Sequence, residues 1–267
     1  MKTTNSPPSS LRSLTGHLLV ALGAVLATAN SAHATSLLLN NGLAPPNAAN
    51  VIDGAALNGV VDNLIVHDEG CALSPYGSVC ANPGSPTTLA ITTGGVVVNT
   101  SVYGNSHIDM LGGDVFGAFL AAAESASILM SGGTVHGILE SVHDSEMSLI
   151  GGFVGLQVRA WDRGQITIAG GTIGTSGAYP QIRSFGQAVI DILGHDFAID
   201  GVAVPLGEIS ALTGRITGTL ASGDLLDYRF ERVTTSAIRL IANPEPGTGL
   251  LLGFGLIALG ARWRRRA

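Results

Sequence analysis

A pair of adjacent glycines recurs through the middle of this 267-residue chain, at Gly94-Gly95, Gly112-Gly113, Gly132-Gly133, Gly151-Gly152 and Gly170-Gly171, with spacings of 18, 20, 19 and 19 residues. A related turn, Leu193-Gly194, follows. The flanks repeat with the glycines, as "SHIDMLGGDVFG", "ASILMSGGTVHG", "SEMSLIGGFVG", "GQITIAGGTIG" and "AVIDILGHDF". Glycine richness alone does not hold such a register. A period near 20 marks a fold of stacked coils, in which each coil buries its apolar side only with its neighbours' help.

Alternation within the repeat shows how each coil is built. Four and two residues before the first glycine stand Ile108 and Met110, Ile128 and Met130, Met147 and Leu149, Ile166 and Ile168, and Ile190 and Ile192. A separation of two places both side chains on one face of a strand. Three residues after the first glycine come Val97, Val115, Val135, Val154 and Ile173, which point inward again beyond a corner. The glycines permit the bend and leave room for the coil above. Later in each coil the pattern loosens, with Phe119 and Ala121, Ile138 and Val142, then Leu156, Val158 and Ala160. Corners and lengths are expected to vary there.

These features predict an all-β chain whose residues 88–200 form a right-handed parallel β-helix with coils of about 20 residues. The left-handed kind needs a strict six-residue repeat, which is not found. A glycine-rich sandwich of hairpins is the competing architecture. It is weakened because the repeated strands lie a full period apart rather than one tight turn apart. Residues 201–243, with "RITGTLASGDLLDYRF" and "SAIRLIA", read as final rungs and a C-terminal cap over an open edge.

Charge excludes one class of partner. Residues 35–243 hold seven arginines, no lysine and eighteen carboxylates. A surface so acidic repels a phosphate backbone, so nucleic-acid binding is rejected.

The two ends read as addresses. Residues 1–34 have the parts of a secretory signal peptide: Lys2 and Arg12, the apolar run "LLVALGAVLA", and the small-x-small cleavage site Ala32-His33-Ala34. The implied carrier is the Sec translocon. At residues 244–267, Pro244-Glu245-Pro246-Gly247 precedes the apolar stretch "TGLLLGFGLIALGA", and Arg262, Arg264, Arg265 and Arg266 follow as a basic stop. This is a rigid segment, a short transmembrane helix and a cytoplasmic anchor in that order. The arrangement resembles the PEP-CTERM sorting signal recognised by the membrane protease exosortase. The resemblance covers about the last 25 residues. It implies that Pro244, Glu245 and Pro246 are recognition residues, and that the helix and arginines hold the substrate in place. It also implies a Gram-negative host, a membrane-tethered precursor, and a link to exopolysaccharide and biofilm.

Residues 35–87 are expected to form an N-terminal β/cap region. Export places Cys71 and Cys80 in an oxidising compartment, where two cysteines closing a small loop form a disulfide. His67, Asp68 and Glu69 offer metal-binding groups nearby, but adjacent side chains point in different directions.

Catalysis on a β-helix usually needs carboxylates stacked on neighbouring coils. The predicted outward columns read Asp109, Leu129, Ser148, Thr167, Asp191; then Asp114, Thr134, Phe153, Thr172; then Phe116, His136, Gly155, Gly174. None stacks two carboxylates. Arg159, Asp162 and Arg163 form a loop cluster that could pair internally, but a solvated surface explains them more simply. His136, His143 and Asp144 are the acid/base candidates, with Glu140 and Glu146 nearby in sequence. No nucleophile elbow, phosphate loop, zinc pair or cofactor fingerprint appears. The expectation is a non-enzymatic, cofactor-free surface or matrix protein that contacts extracellular polysaccharide or itself. A polysaccharide lyase or hydrolase and an adhesin are the alternatives.

Overall fold

The computed structural model describes residues 37–39, 50–52, 61–68, 84–174 and 179–243. The chain divides into two compact units, Met1–Ser31 and Ala32–Ala267, and every described residue belongs to the second. Among the described residues all regular structure is β, and it forms a parallel solenoid of three stacked sheets. The expected signal helix and transmembrane helix fall outside the described residues.

The first sheet stacks Asn50–Ile52, Thr88–Ile91, His107–Met110, Ser127–Met130, Glu146–Leu149, Gln165–Ile168, Val189–Ile199 and Ala237–Ala242, each parallel to the next. The second is narrower and runs from 61–62 through 96–98 and 114–116 to Thr134–Val135, Phe153–Val154 and Thr172–Ile173. The third begins at Leu37–Leu39 and passes through 64–66, 100–102 and 119–122. It continues through Ile138–Ser141, Gln157–Ala160 and Ile182–Ser184 to Leu225–Arg232.

The inward positions expected of the first sheet pile in register. Leu89, Ile108, Ile128, Met147, Ile166, Ile190 and Ile238 form one buried column, and Ile91, Met110, Met130, Leu149, Ile168, Ile192 and Leu240 form a second. Val97, Val115, Val135, Val154 and Ile173 make the column of the second sheet. Each such side chain contributes roughly 1.5–3 kcal/mol by leaving water.

Between these sheets the glycine pairs lie in a line along one corner. Asp114, Thr134, Phe153 and Thr172 donate their backbone N–H groups to Gly95, Gly113, Gly133 and Gly152 at 2.8–2.9 Å. The corner is closed to side chains. A Cβ on Gly133 would stand 2.6 Å from the Gly112 carbonyl oxygen, and its φ is +81°.

The third sheet corrects one expectation. Its inward residues are Leu120 and Ala122, Leu139 and Ser141, and Val158 and Ala160, whereas Phe119, Ala121 and Ile138 turn outward and Leu156 is exposed. The preceding corner varies in length. Five residues carry the chain from inward Val115 to inward Leu120, but four carry it from Val135 to Leu139. Because side chains alternate faces, one extra residue reverses which positions face in.

Local polar groups brace the stack between early rungs and at its far end. Near the start, the buried Asp68 carboxylate accepts the Asn105 N–H at 3.0 Å and the Ser106 hydroxyl at 2.8 Å. At the far end Val189–Ile199 runs past the sheet and turns into antiparallel pairing with Thr213–Leu220, which forms a hairpin with Leu225–Arg232. The hairpin turn closes the glycine corner. Ser222 N–H donates to the Ala169 carbonyl, and the Asp224 carboxylate accepts the Gly171 N–H, both at 2.8 Å. Tyr228, whose hydroxyl accepts the Ile173 N–H at 2.9 Å, covers the last rung of the second sheet.

Candidate functional site

Parallel stacking without slippage makes neighbours of side chains one period apart, so outward residues form columns along each sheet. On the first sheet the column Asp109, Leu129, Ser148, Thr167, Asp191 occurs as expected and ends on Arg239. Arg239 bridges Asp191 with two hydrogen bonds of 2.6 and 2.7 Å, which hold its guanidinium more firmly protonated than an isolated one. His107 contacts Asp109 on its own strand at 2.9 Å and Ser127 on the next coil at 2.7 Å.

On the second sheet Asp114 is followed by Thr134, Phe153 and Thr172, and Phe116 stacks on His136 with ring centroids 4.0 Å apart. His136 Nε2 lies 3.1 Å from Asp114 Oδ1. Gly155 continues this column without a side chain, and the Phe153 ring leans over Gly174.

Arg159, Asp162 and Arg163 find their ion-pair partners outside their own cluster. Each reaches back one coil. Arg159 Nε lies 2.7 Å from Glu140 on the third sheet, and Asp162 lies 3.8 Å from His143. Arg163 forms a two-point bridge to Asp144. The physical reason is the stacking: residues one period apart sit on neighbouring rungs about 4.8 Å apart, closer than the roughly 6.4–6.8 Å between same-face residues of one strand. Arg163 holds the Asp144 carboxyl below its ordinary range, through the side-chain hydrogen bond first. The acid/base candidates are thereby separated. His136 lies at the bend just after the second sheet, Glu140 on the third sheet, and His143 and Asp144 at the turn between the third and first sheets. Glu146 lies on the first sheet between Ser127 and Gln165.

Of the metal-site candidates, Asp68 is occupied by the 104–106 turn and His67 stacks against Tyr103. Glu69 lies outside the described residues. Among the described residues no group of three or more His, Cys, Asp or Glu side chains converges as a metal site. Ala32 and Ala34, Cys71 and Cys80, Pro244, Glu245 and Pro246, and Arg262, Arg264, Arg265 and Arg266 also lie outside the described residues.

Sequence reasoning missed the structural roles of Asp68 and Asp224. Asp68 carried no repeat signature, whereas Ser222-Gly223-Asp224 could have been found as a turn whose acidic side chain accepts a backbone amide.

After Asn243 the sequence continues with the Pro-Glu-Pro, apolar and basic segments of the tail. A sequence model described as the PEP-CTERM protein-sorting motif matches residues 244–266. Residues 244–266 are a PEP-CTERM sorting motif. Comparisons of the whole chain with curated proteins and with solved structures return no match. The PEP-CTERM motif implies an exported protein, processed by exosortase and sorted to the cell surface. The matched residues include Pro244, Glu245 and Pro246, the apolar stretch and Arg262, Arg264, Arg265 and Arg266.

Proposed function

We propose that this PEP-CTERM protein is a non-catalytic β-solenoid used at the cell surface or in an exopolysaccharide matrix. In this reading a signal peptide directs it through the Sec translocon of a Gram-negative bacterium and is cut after Ala34. Residues 248–261 and the terminal arginines tether the precursor to the inner membrane until exosortase acts at Pro244-Glu245-Pro246. Cys71 and Cys80 join in the oxidising compartment. The coil sense proposed is right-handed, the sense that parallel crossovers adopt.

The observation that carries the non-catalytic reading is the register. Along the described columns each carboxylate has arginine, histidine or an uncharged residue on the adjacent rungs, as with Asp109 between Ala90 and Leu129 or Glu140 between Ala121 and Arg159. Paired carboxylates that share a calcium ion or divide acid and base work need the opposite arrangement. Long, regular faces of this kind suit contact with a polymer.

The test is a glycan screen on the exported protein, scored both for retention and for release of oligosaccharides. Retention without release is the expected result. Release of oligosaccharides would overturn the non-catalytic reading, and failure to retain any extracellular glycan would overturn the matrix role.

A further inference from the structure

The body and its tail are separated by almost no chain. Asn243 is fixed to the solenoid, its N–H donating to the Gly194 carbonyl at 3.3 Å and its side-chain amide to the Ala221 carbonyl at 3.4 Å. Only Pro244, Glu245, Pro246 and Gly247 stand between it and Thr248, where the apolar stretch starts. Five Cα steps span at most about 17 Å even when fully extended. The polar zone of one leaflet is itself about 5–7 Å deep. With the apolar stretch inserted, the exit face of the solenoid is therefore held at the membrane surface.

That face is apolar and exposed. The loop after Val189–Ile199 carries Val202, 68% exposed, and Leu206, 53% exposed. Antiparallel pairing of Gly207 with Leu240 sets Leu206 beside Ile241, which is also exposed. Pro205 and Leu206 line an open groove of about 870 Å³ together with Ala242 and Asn243, the last residues of the body. Isolated exposed aliphatic residues are ordinary, but a group of them at one point marks a contact surface. Together Val202, Leu206 and Ile241 offer on the order of 300 Å², well short of the ~800 Å² per partner that a stable protein dimer buries. Aliphatic side chains entering a bilayer interface have no such minimum area. The groove wall also carries Asp196, paired with His195 at 2.8 Å, and the neighbouring Glu208 is paired with Arg232 at 3.4 Å. Charges paired in this way leave no basic patch for anionic headgroups, so the face suits zwitterionic lipid.

We propose that the loop 200–206 and the exit segment 241–243 form a lipid-facing foot, on which the solenoid rests against a zwitterionic bilayer while the sorting tail is inserted. The proposal rests on the reading of residues 248–261 as a membrane-inserted segment, and its test separates the two.

Full-length protein is reconstituted into vesicles of phosphatidylcholine and phosphatidylethanolamine. Fluorescence is then quenched either by brominated acyl chains or by aqueous iodide. Tail insertion is read from native Trp263 in a Trp161→Phe variant. The foot is read from single Val202→Trp and Leu206→Trp variants in which both native tryptophans are phenylalanine. The expected result is that the indoles at 202, 206 and 263 all lose most of their emission to brominated lipid, and that those at 202 and 206 are shielded from iodide. If Trp263 is quenched by lipid while 202 and 206 answer only to iodide, the foot is overturned and the insertion reading stands. If Trp263 is untouched by lipid, the insertion reading fails and the foot with it. Shielding of 202 and 206 from both quenchers would assign the face to a second copy of the chain, which also overturns the proposal.

Discussion

Arg163 grips Asp144 across one coil of the solenoid, with its Nη2 2.6 Å from the carboxylate of a residue 19 positions earlier in the chain. Both side chains are exposed, so the bridge is a surface interaction screened by solvent. Its effect on titration is nonetheless definite. The folded Asp144 pKa is depressed below the ordinary 3.8, so the bridge favours the folded state above that value and its contribution disappears as pH falls through the lower folded pKa. An NMR titration of the Asp144 carboxyl is expected to show a midpoint below 3.8. Replacing Arg163 with glutamine is expected to return the midpoint to the ordinary range while the fold persists.

The glycine corner predicts a contrast between two substitutions of equal size. Gly133 and Gly201 share a φ of +81°, but a Cβ on Gly133 would strike the carbonyl oxygens of Gly112 and Gly113, whereas around Gly201 nothing lies within 4 Å. Gly201→Ala meets only the backbone penalty of a left-handed alanine, about 1–2 kcal/mol. Gly133→Ala adds a clash with the coil beneath and is expected to lower the urea unfolding midpoint by clearly more. Equal midpoints for the two variants would mean that the coils do not approach as closely as the stack requires.

The core columns predict a similar contrast between adjacent residues. Ile128 faces inward and is 2% exposed, while Leu129 faces outward between Asp109 and Ser148. Ile128→Ala is expected to cost about 2–5 kcal/mol, and Leu129→Ala less than about 1 kcal/mol. Ile128→Asp, which places an unpaired charge among Ile108, Met130 and Met147, is expected to unfold the neighbouring coils. Chemical denaturation followed by circular dichroism measures all three.

How much of this was legible depended on whether a feature repeated. Ile108 and Met110 announced their direction because the separation of two recurs at every coil and always at the same distance from a glycine pair. Leu120 and Leu139 did not, because the corner before them has no fixed length and parity changes with it. The columns Asp114–Thr134–Phe153 and Phe116–His136 followed from the same alignment. The bridges from Arg159 to Glu140 and from Arg163 to Asp144 were also latent in it, since each partner lies 19 residues away. Such partners are found one period back in the sequence, not along one loop. Asp68 and Asp224 each act once, between two early rungs and at the far end of the stack, so periodicity carries no trace of them.

The closure at Asp224 is testable at a single amide. Its carboxylate is the acceptor for the Gly171 N–H and is held by Ser222 Oγ at 2.8 Å. Asp224→Ala leaves that donor without its charged acceptor, at a cost of about 1–3 kcal/mol. Hydrogen exchange at Gly171 is expected to accelerate, while Thr172, which donates to the Gly152 carbonyl inside the stack, stays protected. Exchange that accelerates equally at Thr172 would show that the turn holds the whole corner rather than its last rung.

Glu245 tests the sorting motif independently of the body. It stands between two prolines in the sequence, two residues beyond Asn243. Its carboxylate is a feature a protease can read by charge and position. Replacing Glu245 with alanine removes the charge and leaves both prolines, the apolar stretch and the terminal arginines in place. The variant is expected to accumulate as a full-length, membrane-retained form while wild type is shortened and released from the membrane fraction. Fractionation and immunoblotting of the two strains measure this. Processing of the alanine variant at the wild-type rate would remove Glu245 from the recognition element and leave that role to the prolines alone.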